Sequence, residues 1–297
     1  MRVTNITAVW LVCAAIAIPA LAEDPPAPAT EAATEPAMQF KYETGDIVLP
    51  NKVATLHLGE KYHYLAPAEA NKLLTIWGNP PDDITQGAII PSGVDPLGEG
   101  GWAVFLTYVK DGHVDDSDAK KIDYDDLLKD IKQGVEDSNP ERKKAGYPQL
   151  HLEKWAEPPR YDENAKKLYW AKEFSSEGSQ THSLNYDVRV LGREGVLSME
   201  AVAPIELLEQ VRTDMPPLLT TAEFNEGYRY AEFNSKTDKL AEYGLGALIA
   251  GGVAAKLGLF AKLGIWLLAL KKFIIIGLVA IGGFLRKLFG KKKDQAV

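Results

Sequence analysis

Cysteine is almost absent from this chain of 297 residues, because Cys13 is the only one and it lies near the N-terminus. The rest of the chain can therefore form no disulfide bond, no thiolate metal site and no cysteine nucleophile. The residues before Cys13, Leu11 and Val12, are also larger than those that normally precede a lipid-modified cysteine. These absences exclude the classes of protein that depend on cysteine chemistry.

Motifs for nucleotide binding and for common hydrolases are missing as well. The sequence has no G-x-S-x-G, no Walker loop and no G-x-G-x-x-G. Its five histidines do not occur in the pattern of a zinc-protease helix. We therefore predict no cofactor and assign no catalytic residue. A non-enzymatic role is favoured, and the question of an enzyme stays open.

Net charge is divided unequally between the C-terminal region and the rest of the chain. Residues 243–297 carry nine lysines and arginines against Asp294 alone, whereas the whole chain has a formal charge of −8. The residues before 243 are therefore strongly acidic. Nucleic-acid binding depends on clustered Lys and Arg at phosphates, so we predict no nucleic-acid partner. A basic tail suits an anionic membrane surface instead.

The N-terminal region has the pattern of a secretory signal peptide over residues 1–22. Arg2 supplies the positive start, ITAVWLVCAAIAI is the short apolar run, and Ala20-Leu21-Ala22 is an A-x-A cleavage site. Residues 23–40 are rich in Pro, Ala and Glu, so we predict an extended linker there.

Residues 243–297 are predicted to be a C-terminal membrane anchor with a basic tail. No Asp, Glu, Asn, Gln or Pro occurs from Gly244 to Leu285, and about 20 apolar residues suffice to cross a bilayer. A central lysine costs about 2.5–3.5 kcal/mol, so Lys271 and Lys272 mark a junction between two apolar pieces. We expect one net crossing, although two short crossings remain an alternative.

Two further features of this region bear on its partners. Ala247, Gly251 and Ala255 recur every four residues and form a stripe of small side chains, which favours close helix packing or self-association. Arg286 and Lys287 open the basic tail, which is typical of the cytoplasmic side of a membrane.

Residues 41–242 predict an α+β domain, an antiparallel sheet with packed helices, followed by the C-terminal helical membrane anchor. VATLHL and WAVFLTYV resemble strands, and a helix is predicted to begin at Pro67. The runs QLHLEKW, KLYWAKEF, SLNYDVRVLG and GVLSMEAVA alternate with turn residues, one turn being Pro-Pro-Arg-Tyr-Asp. This alternation indicates an antiparallel meander.

Three more helices are expected in this region. AKKIDYDDLLKDIKQGV is predicted to be a helix with Ser117 and the neighbouring aspartates as its N-cap. PIELLEQVRTDM has a helical pattern, and a linker helix is expected near residues 234–243, before the anchor.

The richest polar cluster lies in KDGHVDDSDAKKIDYDD. The weak candidates for a divalent-cation site there are Asp111, His113, Asp115, Asp116 and Asp118. A calcium loop starting at Asp115 would need a glycine at its sixth position, where Lys120 stands, so the match fails. A helix N-terminus explains the same carboxylates.

Five strings of the sequence carry a family resemblance. They are YLAPAEANKLLTIWGNPP, GWAVFLTYVKDGHVDDSDAKKIDYDDLL, YDENAKKLYWA, LNYDVRVLGREGVL and YGLGALIAGGVAAKLGL. In this order they resemble a bacterial family of predicted membrane-anchored proteins, the domain of unknown function DUF2167. The resemblance implies a secreted, membrane-anchored body and carries over no functional residue.

Three hypotheses for function follow. The first is a binding module of the bacterial envelope, with its anchor in the inner membrane, its body in the periplasm, its tail in the cytoplasm and another envelope protein as partner. The second is an envelope hydrolase or transferase that uses the acidic cluster around residues 111–126. The third makes the C-terminal helices the active part, through self-association or disturbance of the bilayer.

Overall fold

An eight-stranded antiparallel sheet is the centre of this computed structural model, which describes residues 39–250. The strands are β1 (Tyr42–Glu43), β2 (Asp46–Val48), β3 (Ala54–His57), β4 (Tyr62–Leu65), β5 (Thr85–Pro91), β6 (Ala103–Val109), β7 (Leu150–Asp162), β8 (Lys167–Ser176), β9 (Ser183–Leu191), β10 (Val196–Pro204) and β11 (Ala222–Phe224). The helices are α1 (Pro67–Ile76), α2 (Tyr124–Lys144), α3 (Leu208–Leu219) and α4 (Leu245–Ile249). The predicted signal peptide lies outside the described residues, as does the predicted anchor from residue 251 onward.

The strands of the large sheet lie in the order β1-β4-β5-β6-β10-β9-β8-β7, and all neighbours are antiparallel. Strands β7 to β10 follow one another in the chain and pair in series, so the predicted meander is confirmed. A smaller sheet has the order β11-β3-β2. The prediction of an α+β body with an antiparallel sheet and packed helices is confirmed at this level.

Both faces of the large sheet are covered, because side chains alternate along each strand. On β10, Leu197, Met199 and Ala201 point to the face that carries α3 and the smaller sheet. Val196 and Val202 point to the other face, where Val196 joins the apolar cluster of α2 and α4 and Val202 joins that of α1. The body therefore has three layers.

Helix α1 begins at Pro67, as its sequence predicts. Pro67 takes the first helical position, where its missing N–H costs no hydrogen bond. Leu73 and Leu74 are buried against the sheet. The helix stops before Gly78, whose φ of +76° suits glycine, and Asn79 N–H then donates to the carbonyl of Leu74 (2.9 Å).

Helix α2 begins later than the sequence predicted, so Ser117 as its N-cap is wrong. Residues 119–121 form a separate 3₁₀ turn, and the chain is extended again before α2. The Asp123 carboxylate accepts hydrogen bonds from the N–H groups of Asp125 (3.0 Å) and Asp126 (3.1 Å), which makes Asp123 the N-cap.

Strand β7 passes straight through the predicted Pro-Pro-Arg-Tyr-Asp turn, so that turn is wrong. As the edge strand of the sheet, β7 can accommodate Pro158 and Pro159, which have no N–H to donate. Its pairing with β8 shifts register three times, and such bulges protect an exposed edge from pairing with another chain. The chain reverses after Asp162 instead, where Lys166 adopts a φ of +52°.

The linker helix expected near residues 234–243 is also wrong. Its backbone groups are used elsewhere, because Lys239 C=O accepts from His113 N–H and Ala241 N–H donates to His113 C=O, both at 2.8 Å. These bonds make a parallel β-bridge between His113 and Leu240.

Residues 243–250, which the sequence assigned to the anchor, pack in the body, with Leu245, Leu248 and Ile249 buried. Within residues 39–250, the helices are all too short or too polar to span a bilayer.

Candidate functional site

The acidic segment 111–118 holds the part of the chain that leads toward the C-terminus. The Asp111 carboxylate accepts a hydrogen bond from the Tyr243 hydroxyl (3.0 Å). The Asp118 carboxylate accepts one from the N–H of Leu245, the first residue of α4 (3.2 Å). A side chain at Gly244 would collide with Asp118, so glycine permits this close approach.

His113 is buried between two aromatic rings of the same C-terminal stretch. Its ring centroid lies 4.2 Å from that of Tyr230 and 3.9 Å from that of Phe233, with which it stacks. Burial lowers the pKa of His113, although backbone hydrogen bonds and the charge of Asp116 oppose the shift. The neutral imidazole is therefore the packed form at neutral pH.

Asp116 joins three elements through its partly buried carboxylate. It accepts hydrogen bonds from the Tyr161 hydroxyl (2.6 Å), Lys166 Nζ (2.6 Å) and the Tyr230 hydroxyl (3.3 Å). Burial alone would raise the pKa of Asp116, but the hydrogen bonds and the positive charge of Lys166 outweigh it and lower this pKa. Asp116 is accordingly held as a carboxylate.

We name this arrangement the C-terminal clamp, and it consists of Asp111, His113, Asp116 and Asp118 with the segment 230–245 that they hold. The remaining candidate, Asp115, accepts from the N–H of Ser117 (2.7 Å) within its own exposed loop. In residues 39–250 no three His, Cys, Asp or Glu side chains are grouped so as to hold a metal ion.

Of the residues predicted to belong to the anchor, Ala247 lies in α4. The others lie outside the described residues, and their role stays a prediction: Gly251, Ala255, Lys271, Lys272, Arg286 and Lys287.

A second group of charged side chains lies on the sheet face covered by α1, α2 and α4. Lys172 on β8, Asp187 and Arg189 on β9, and Glu200 on β10 form this charge cluster. Asp187 Oδ2 lies 3.0 Å from Lys172 Nζ, and its Oδ1 lies 2.8 Å from Arg189 Nη2. The side chains of Lys172 and Asp187 are only 3% and 0% exposed, so this ion pair is in the interior of the protein.

Glu200 is the second acid of the charge cluster, and it lies beside the side-chain amide of Asn185. It lies directly opposite Asp187 across the β9–β10 pair, and Asn185 Nδ2 donates to Glu200 Oε1 (2.5 Å). Burial first, and then the charge of Asp187, raise the pKa of Glu200 to about 7, while Lys172 and Arg189 oppose the shift. Both protonation states are therefore populated near neutral pH.

The charge cluster was missed in the sequence because its alternating pattern resembles a solvated sheet face. In SLNYDVRV the residues Asn185, Asp187 and Arg189 alternate with apolar ones, as in a strand with one wet face. The available signal was in KLYWAKEF, where Lys172 shares a face with Trp170 and Phe174, both fully buried. A lysine between two such aromatic residues indicates burial.

Three exposed apolar side chains lie on segments near the other edge of the sheet, and we name them the apolar corner. Three of the five exposed large apolar side chains of the described residues form it: Tyr42, Ile76 and Leu97. Trp77 Nε1 donates to the carbonyl of Pro96 (3.1 Å), which joins the end of α1 to the loop that carries Leu97. Burial and the nearby charge of Asp95 raise the pKa of Tyr42, which lies beside the same loop.

The body thus defines a class of α+β protein in which helices and a small sheet cover both faces of a long antiparallel sheet. Its sequence identifies the family: the chain belongs to the family described as "Protein of unknown function (DUF2167)", whose profile matches residues 41–282. No curated protein sequence matches the chain.

Two solved structures show a distant likeness to this chain. Cyanobacterial PsbP (CyanoP) from Synechocystis sp. PCC 6803 is 8% identical with a TM-score of 0.35, over 66% of this chain and 99% of that one. The Ran-binding protein Mog1p of Saccharomyces cerevisiae is 10% identical with a TM-score of 0.32, over 66% of this chain and 100% of that one. At these scores neither likeness bears on function.

Proposed function

We propose that this protein is a membrane-anchored binding module of the bacterial envelope. The body faces the periplasm, the apolar run and basic tail after residue 250 anchor it in the inner membrane, and the tail lies in the cytoplasm. The signal-like residues 1–22 and the lysine-rich C-terminus support this orientation. The partner is another envelope protein, which the body contacts through the apolar corner.

The observation that carries the proposal is the C-terminal clamp. Residues of the segment 111–118 hold the chain from Tyr230 to Leu245 by side-chain hydrogen bonds, ring stacking and a backbone β-bridge. Arg193 adds a bidentate ion pair with Asp238, in which Nε lies 2.7 Å from Oδ2 and Nη2 lies 2.9 Å from Oδ1. The clamp therefore fixes the chain of the body as far as Leu245, which suits a module that presents one surface.

The apolar corner lies far from that attachment within the body. Strand β1 carries Tyr42 at one edge of the sheet, whereas α4 packs on an apolar cluster that extends from Val196 of β10 to Trp170 of β8. Strands β10 and β8 are four and six positions from β1 in the sheet, which at about 4.8 Å for each step is roughly 20 to 30 Å. The corner would therefore lie away from the C-terminal end of the described body.

Exposed apolar residues scattered singly are common on protein surfaces, whereas contiguous apolar patches mark interaction sites. In the apolar corner three exposed apolar side chains lie on neighbouring segments, and this is why we propose that the partner binds there. The acidic segment has contacts typical of a structural clamp, so the hydrolase or transferase alternative gains no support from it.

Photo-crosslinking in intact membranes tests this proposal. A photoreactive amino acid replaces Leu97 in the corner, and a matched variant carries it at Leu240, an exposed leucine outside the corner. We expect a crosslink to one other envelope protein from position 97 and none from position 240. Equal products from both positions, or products from position 97 that contain only a second copy of this chain, would contradict the proposal.

A further inference from the structure

The charge cluster lies between the two apolar clusters on the sheet face that α1, α2 and α4 cover. Glu200 is opposite Phe105 of β6, whose ring meets Trp77 at the end of α1 edge-on, with centroids 5.7 Å apart. On the other side, Asp187 is opposite Trp170 of β8. The guanidinium of Arg189 lies over the Trp170 ring, 4.9 Å from its centroid. A change of charge at Glu200 therefore acts on packing beneath both α1 and α2.

Each of the two charge states of the cluster has an unfavourable electrostatic contribution of its own. With Glu200 ionised, two acids balance two cations, but its carboxylate must lose water and face Asp187, a like charge directly across the strand pair. With Glu200 protonated, those costs vanish and the cluster keeps one excess positive charge. In the structure Asp187 contacts both cations.

We propose that Glu200 is a proton-operated switch. When Glu200 is protonated, the side chains beneath α1 and those beneath α2 and α4 pack firmly together, and when it is ionised near neutral pH this packing loosens. In a body outside the inner membrane such a switch would respond to the pH of the surroundings. The proposal does not depend on the anchor or on the apolar corner.

The charged groups that face Glu200 come from two strands. Lys172 approaches from β8, and Asp187 and Arg189 from β9. Tyr243 of the C-terminal clamp acts electrostatically on Arg189, whereas Phe105 and Thr107 of β6 carry no charge.

The sign of the effect follows from the two pKa values of Glu200. Its folded pKa of about 7 exceeds the ordinary value of 4.5, so the folded state binds this proton more tightly than the unfolded state does. The resulting stabilisation is complete below pH 4.5 and is lost as the pH rises through 7. The contribution of His113 to stability changes with pH in the opposite direction, because its folded pKa is lowered. The stability that this residue contributes rises with pH and stays constant above its ordinary pKa of 6.5.

The test compares urea unfolding of the full-length protein in detergent at pH 6, 7 and 8. Glu200→Gln imitates the protonated acid, and Glu226→Gln changes an exposed glutamate as the matched control. The His113 contribution is common to all three proteins. We expect the ratio of unfolding constants, wild type over Glu200→Gln, to rise about tenfold from pH 6 to 8, with no such change for Glu226→Gln. A ratio independent of pH would overturn the proposal.

A second measurement keeps the proposal falsifiable if Glu200→Gln does not fold. Infrared spectroscopy of the folded protein follows the carboxylic acid band, in an Asp82→Asn background because burial also raises the pKa of Asp82. The expected result is a protonated-acid band at pH 6 that disappears with a midpoint near 7. Absence of that band at pH 6 would overturn the proposal.

Discussion

Asp116 and Glu200 are both partly buried acids, and their neighbours shift their pKa values in opposite directions. Asp116 meets Lys166 and two tyrosine hydroxyls, all of which stabilise a carboxylate. Glu200 meets Asp187 across the strand pair, and burial dominates its environment. The first residue therefore serves as a fixed ionic contact, whereas the second can change charge near neutral pH.

The C-terminal clamp predicts unequal roles for two adjacent aspartates. Asp116→Ala removes the acceptor of three hydrogen bonds and leaves Lys166 without its ion pair, so we expect a loss of about 2 kcal/mol in the free energy of unfolding. Asp115→Ala, at an exposed site, should change it by no more than about 0.5 kcal/mol. Urea unfolding of the full-length protein in detergent measures both values.

A shared cation site would give another result. If Asp115 and Asp116 bound one ion together, the two substitutions would cost similar amounts, and addition of Ca²⁺ would stabilise the wild type but neither variant. That outcome would contradict the assignment of this segment to the clamp.

Elements with strong local signals were predictable from the sequence. Helix α1 has Pro67 at its start and Gly78 after its end, and the meander has alternating apolar residues between turns. The incorrect predictions concern segments whose secondary structure is decided by tertiary contacts. Residues 234–243 form no helix because their backbone bonds with His113, and Pro158 and Pro159 lie within β7 because that strand is at the edge of its sheet.

The N-cap of α2 gives a prediction at the scale of one element. Asp123→Ala removes the acceptor for the N–H groups of Asp125 and Asp126, and we expect it to lower the free energy of unfolding by about 1 kcal/mol. Ser117→Ala, at the cap expected from sequence, should have an effect of less than about 0.5 kcal/mol. Thermal or urea unfolding measures the loss, and amide hydrogen exchange at Asp125 and Asp126 locates it. A larger effect from Ser117 would contradict this start of α2.

At the scale of the whole molecule, the class of fold could be predicted from the sequence, but the C-terminal clamp and the buried charge cluster could not. The α+β composition and the acidic body were visible in the local pattern. The C-terminal clamp joins residues more than 100 positions apart, such as Asp111 and Tyr243, and the charge cluster joins three strands. No local periodicity contains these contacts, because they arise only when the sheet is assembled and covered.

The central claim is that an anchored body stands outside the inner membrane, and cysteine labelling tests it most directly. In a Cys13→Ser background, a single cysteine replaces Gln133 on the exposed face of α2 or Ala296 in the C-terminal tail. Spheroplasts are then treated with a membrane-impermeant maleimide. We predict labelling at position 133 and protection at position 296 until the membrane is permeabilised. Protection at position 133, or labelling at both positions in intact spheroplasts, would contradict a periplasmic body with a cytoplasmic tail.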